Sequence, residues 1–269
     1  MSIGQAVAAG FRSANAGLQV VAVSFGFGLV MSLGKKILIL AQPNSPEANL
    51  AALITAWIGM IVLALVLGAL WMVWMGGALV WLKNRFDGAE TSWAAFFEGG
   101  RSFFWALCWV FSLQMIFMLG PLYIWGLLGA LRLAYGAIGA AALPLPLAAV
   151  GMLASLAIFI LFAFGAYSLA ERRQGAKVAL KDSALFVRAH LGGTVGLLAA
   201  LFLVSAAVVL VSAIPLILLA FLLKLPISPR QQQFPLLMEI PLQAVMAYVF
   251  FFALASGYAY YRGNQTPQP

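Results

Sequence analysis

The chain's sole histidine, His190, stands seven and eight positions after Ser183 and Asp182, a spacing that returns to one face of a helix. Hydroxyl, imidazole and carboxylate are the parts of a nucleophilic or acid–base centre. The plainer reading is a histidine that anchors a helix beside lipid headgroups. The rest of the sequence offers little comparable chemistry: it contains no His-Glu-x-x-His, no glycine-rich phosphate loop closed by Lys-Ser or Lys-Thr, and no Gly-x-Ser-x-Gly. Cys108 is the only cysteine, which excludes an intramolecular disulfide and a cysteine metal site. No cofactor is expected.

Transport chemistry needs polar groups where water is scarce. Candidates inside the apolar runs are Ser112, Gln114, Thr194, Ser205, Ser212 and Gln243, with Glu239 set between Pro235 and Pro241. Gln114, Gln243 and Glu239 are the candidate cavity residues, although such side chains more often bond one helix to another.

The elements that carry these residues are plain in the composition. Hydrophobic residues make up 64% of the chain and charged residues 8%, about a third of the charge of a soluble domain. About 20 apolar residues span a bilayer as a helix, and six runs reach or approach that length: Gly17–Leu33, Ala51–Leu82, Ser102–Leu131, Leu143–Ala170, Leu191–Leu223 and Phe234–Tyr261. Pro121 and Pro215 predict a kink, or a second short helix, in the third and fifth runs. Gly192 and Gly196 read as a close-packing pair. Trp71, Trp74, Trp81, Trp105, Trp109 and Trp125 read as an interfacial belt. The first run is read as a retained span, not a cleaved signal.

Of the 15 basic residues, Arg12, Lys83, Arg85, Arg101, Arg172, Arg173, Lys177, Lys181, Arg188 and Arg262 fall on one side of this arrangement. Lys35, Lys36, Arg132, Lys224 and Arg230 fall on the other. The bias predicts that both termini are cytoplasmic. The net charge of +8 flanks apolar spans, so anionic headgroups are the expected partner and nucleic acid is not.

Landmarks recur at intervals of about 88 residues. Arg12, Arg101 and Arg188 precede odd-numbered spans, and Arg85, Arg173 and Arg262 close even-numbered ones. The chain therefore divides into repeats 1–87, 88–174 and 175–262 within a single membrane domain, followed by a polar tail, 263–269. Two crossings per repeat make the copies parallel. Each copy opens on a segment with helical periodicity: Val7, Ala8 and Phe11; Trp93, Phe96, Phe97 and Gly100; Leu180, Ala184, Val187 and Leu191. These are read as interfacial helices, with Arg12, Arg101, Lys177, Lys181 and Arg188 as candidate headgroup contacts.

The stretch Gly175-Ala176-Lys177-Val178-Ala179-Leu180-Lys181-Asp182-Ser183, leading to Arg188 and Gly192-Gly193, resembles segments of a loose group of uncharacterised bacterial integral-membrane proteins. It also resembles the membrane domains attached to some glycerophosphodiester phosphodiesterases. That resemblance implies a multi-span helical membrane protein of unsettled role.

The expectation is an all-α, polytopic protein of a bacterial cytoplasmic membrane, with six transmembrane helices as three parallel two-helix repeats. Its expected role is non-catalytic: scaffold, accessory subunit or lipid-organising element, with lipids and membrane-complex subunits as partners. The alternative is a permease or lipid-handling transporter.

Overall fold

The computed structural model describes residues 1–40, 50–134, 144–222 and 236–265. Among them every regular element is an α-helix: α1 Ile3–Ala16, α2 Leu18–Leu40, α3 Leu50–Asp87, α4 Trp93–Ala134, α5 Pro144–Phe162, α6 Gly165–Arg172, α7 Ala176–Ala189, α8 Leu191–Leu222 and α9 Leu236–Gly263. One compact unit comprises Met1–Ser102 with Leu197–Asn264, and a second is built from Phe103–Gly196. The divisions fall inside α4 and α8. Lys224, Arg230 and the last four residues of the tail lie outside the described residues.

Five helical stretches are long and apolar enough to cross a membrane: Trp57–Asp87, Trp93–Gly120, Val150–Arg172, Leu191–Leu218 and Glu239–Gly263. The pair Ile3–Ala16 and Leu18–Gly34, bent by 79°, makes a sixth if counted as one span. This is the multi-pass helical architecture read from the apolar runs. Neither proline starts a second helix: α4 runs on past Pro121, and α8 contains Pro215. A helix is the form that satisfies its own backbone in hydrocarbon, which favours continuing through a proline over breaking there.

In the first unit, α1 begins at a capping box in which Ser2 accepts from the backbone of Gln5 and the Gln5 side chain accepts from Ser2 N–H. Its buried face is Ala6, Ala9, Gly10, Ser13 and Ala14. The expected face was wrong: Val7 and Phe11 are half-buried and Ala8 is exposed. Smaller residues win because α1 lies hard against α9, where a Cβ on Gly10 would stand 3.0 Å from the carbonyl of Phe252. At Gly17 the chain turns, with its N–H shared between the carbonyls of Ser13 and Ala14, and its own carbonyl starts the next ladder by accepting from Val21. Met1 lies against the end of α9: its amino group donates to Asn264 Oδ1 at 2.8 Å.

α3 and α4 meet through glycines. A Cβ on Gly100 would lie 2.4 Å from the Val73 carbonyl, and one on Gly77 would lie 2.7 Å from the Phe96 carbonyl. Between helices in lipid there is no hydrophobic drive to associate, and close backbone approach supplies the dispersion contact instead. At its charged end α3 is tied to α9 by an ion pair between Arg262 and Asp87.

In the second unit the break between α5 and α6 is spanned by Ser183 of α7. Its hydroxyl donates to the Leu161 carbonyl (2.8 Å) and accepts from Phe164 N–H (3.1 Å). The α7–α8 junction repeats the arrangement at Gly17: His190 N–H is shared between the carbonyls of Phe186 and Val187, and His190 O accepts from Thr194.

α1 and α7 are both 14 residues long, each followed by a one-residue break and a long apolar helix. The corresponding segment from Trp93 instead runs unbroken into α4. Counted from the residue before each helix (Ser2, Ser92, Gly175), the fourth position is buried in all three: Ala6, Phe96 and Ala179. The eighth is small and buried: Gly10, Gly100 and Ser183. Arg12, Arg101 and Arg188 are ten, nine and thirteen positions along, so the arginine alignment does not mark equivalent turns.

Candidate functional site

The possible acid–base centre is not assembled. His190 Nδ1 lies 3.1 Å from the Phe186 carbonyl, and its ring stacks on Phe186 at a centroid distance of 4.8 Å. Asp182 is held by Arg172 at 2.9 Å and by the Gln174 amide at 2.6 Å. The Ser183 hydroxyl is engaged with Leu161 and Phe164. Among the described residues no three His, Cys, Asp or Glu side chains are placed to hold a metal ion.

Arg12, Arg101, Lys177, Lys181 and Arg188 are all exposed. On α7 the basic residues lie away from the buried Ala179, Leu180, Ser183 and Val187. A docked helix with an exposed cationic face can attract anionic headgroups.

A cleft of about 560 Å³ opens between α2, α3 and α9. Positions three or four apart on each helix build it: Ser24 and Gly28 from α2, Ala64, Gly68 and Trp71 from α3, and Gln243, Ala247 and Phe250 from α9. Trp71 is its central wall, packed against Phe250 at 4.7 Å and Phe27 at 5.8 Å and stacked on Trp74 at 5.0 Å. Three of the tryptophans read as a belt are instead turned into the helix packing. Trp71 is half-buried, Trp74 and Trp81 are buried, and the Trp74 indole N–H points to the Val20 carbonyl (3.5 Å). Trp105 and Trp109 are 73% and 62% exposed, whereas the side chain of Trp125 lies outside the description.

Gln243 supplies the polar end. Its Nε2 donates to Ser32 Oγ at 2.9 Å, and its Oε1 lies where a Cβ on Gly28 would come within 2.7 Å. Glycine at 28 thus leaves room for the amide. Of the three candidate cavity residues only Gln243 lines this cleft. Gln114 is half-buried on α4 in the second unit, and Glu239 is half-buried near the start of α9. The packing expected at Gly192 is absent, since a Cβ there would meet nothing within 4 Å.

The depth of the cleft follows from the helical rise of 1.5 Å per residue. Measured along α3 and α9 from the Arg262–Asp87 pair, Trp71 and Phe250 are about 18–24 Å away, and Gln243 and Ala64 about 28–34 Å. Were these helices to cross roughly 30 Å of hydrocarbon from that charged end, the aromatic wall would lie past mid-depth and the amide close to the far headgroups. The aromatic lining escaped the sequence reading, although its signal was there: small and aromatic residues at helical spacing in three runs.

Comparison of the chain with family models, curated proteins and solved structures gives no match.

Proposed function

We propose that the chain is a non-catalytic, multi-pass protein of a bacterial cytoplasmic membrane, acting as a scaffold, accessory subunit or lipid-organising element. The observation that carries this reading is the use of polar side chains within the helices. Ser155 donates to the Met118 carbonyl (2.6 Å), Ser183 braces the α5–α6 break, Ser256 donates to the Phe252 carbonyl, and Gln243 bonds Ser32. Groups spent on packing are unavailable as acids, bases or nucleophiles.

The architecture proposed is three like-facing hairpins, 1–87, 88–174 and 175–262, each introduced by a surface-lying segment. The 79° bend after α1 and the small docking residues Gly10, Gly100 and Ser183 support it. The contact of Met1 with the end of α9 supports termini on one side, and the basic bias makes that side cytoplasmic. Membrane lipids and subunits of a membrane complex are the proposed partners, and nucleic acid is not. The kinship with uncharacterised bacterial membrane proteins and phosphodiesterase-linked membrane domains is part of the same proposal.

Purification from native membrane in mild detergent tests it. A stoichiometric partner, or selective retention of lipid, is expected. A solitary chain that moves solute across liposomes would replace this reading with the second one, a permease or lipid-handling transporter, which the cleft at Gln243 favours.

A further inference from the structure

We infer that the cleft between α2, α3 and α9 is a binding site for one glycerophospholipid of the leaflet opposite the Arg262–Asp87 end. An acyl chain lies along Trp71 and Phe250, and an ester carbonyl accepts from the amide of Gln243. The inference rests on the lipid-organising reading and gives it a site.

The polarity of the cleft selects this occupant. Its amide stands near the far headgroups and its aromatic wall lies deeper, which is the order of polar and apolar parts in a lipid of that leaflet. Gln243 has donor capacity left, because Nε2 carries two hydrogens and Ser32 takes one. The volume of about 560 Å³ falls within the roughly 300–1,000 Å³ of small-molecule sites. The rim is open to the hydrocarbon through the exposed Ala64 and Met246, so a chain enters sideways without crossing a headgroup layer. Gly68 keeps the floor clear: a Cβ on it would meet nothing within 4 Å, so a larger side chain there extends into the cleft.

The full chain is reconstituted in nanodiscs of phosphatidylethanolamine and phosphatidylglycerol containing a diazirine-acyl phosphatidylethanolamine, irradiated and peptide-mapped. Labelling is expected to concentrate on segments 64–71 and 243–250, and Gly68→Phe is expected to lower it at least five-fold. Gly59→Phe, on the same helix and equally open, should leave it unchanged. A thermal melt of both variants matching the parent shows that the fold is intact. Labelling spread evenly along the lipid-facing helices and indifferent to Gly68→Phe overturns the proposal, as does recovery of a stoichiometric isoprenoid quinone or a cross-linked partner peptide from the cleft. A solitary chain that moves solute across liposomes overturns the proposed function and leaves the labelling pattern untouched, so the two fail separately.

Discussion

A Cβ on Gly10 would stand 1.8 Å from Ser256 Oγ, an oxygen already fixed by its 2.9 Å hydrogen bond to the Phe252 carbonyl. The contact seats α1 on α9 across nearly the whole length of the sequence and leaves no room for even one methyl group.

Gly10→Ala is therefore expected to destabilise the protein by about 1–3 kcal/mol, the usual cost of overpacking. Gly4→Ala, where a Cβ would meet nothing within 4 Å, should be neutral or mildly stabilising. Adding Ser256→Gly to Gly10→Ala should restore part of the loss. Thermal unfolding in detergent, with limited proteolysis of α1, measures all three.

Ser183→Ala is expected to cost about 1–3 kcal/mol, because it strips a partner from both the Leu161 carbonyl and the Phe164 N–H in a buried place. His190→Ala should cost less, since its described hydrogen bond is local and its ring is half-exposed. Equal losses from the two variants in the same unfolding assay would contradict this.

The ion pair between Arg172 and Asp182 has side chains 35% and 18% exposed. A double-mutant cycle with alanine at both positions should give a coupling of about 1 kcal/mol or less, shrinking as salt rises.

Replacing Lys177, Lys181 and Arg188 with Gln should reduce the phosphatidylglycerol retained on purification, by about 1 kcal/mol of attraction per charge at low ionic strength. Retained lipid quantified at low and high salt provides the check. Unchanged retention at low salt would remove α7 as a headgroup contact.

The spans were legible because six apolar runs have no soluble alternative. Gln243 was legible because an amide inside such a run is conspicuous. The face of α1 was not, since choosing between Val7 and Gly10 depends on how closely α9 approaches, and no local pattern carries that distance. The cleft was missed for a related reason: Trp71 and Phe250 belong to runs almost 180 residues apart, and each alone reads as ordinary membrane aromatic. The break at His190 was hidden too, because histidine is not a habitual helix terminator, while the glycine pair at Gly99-Gly100 leaves α4 unbroken.

The hydrogen bond joining Met1 to Asn264 sets an order on biogenesis. A ribosome adding about 5–20 residues per second finishes α1 on the order of ten seconds or more before α9 exists to receive it. During that interval the nascent first helix must wait on the bilayer surface or in the care of the insertion machinery. Seating of α1 then waits for residues 236–263 to be made, and a chain stalled before residue 236 would leave its opening helix without a berth.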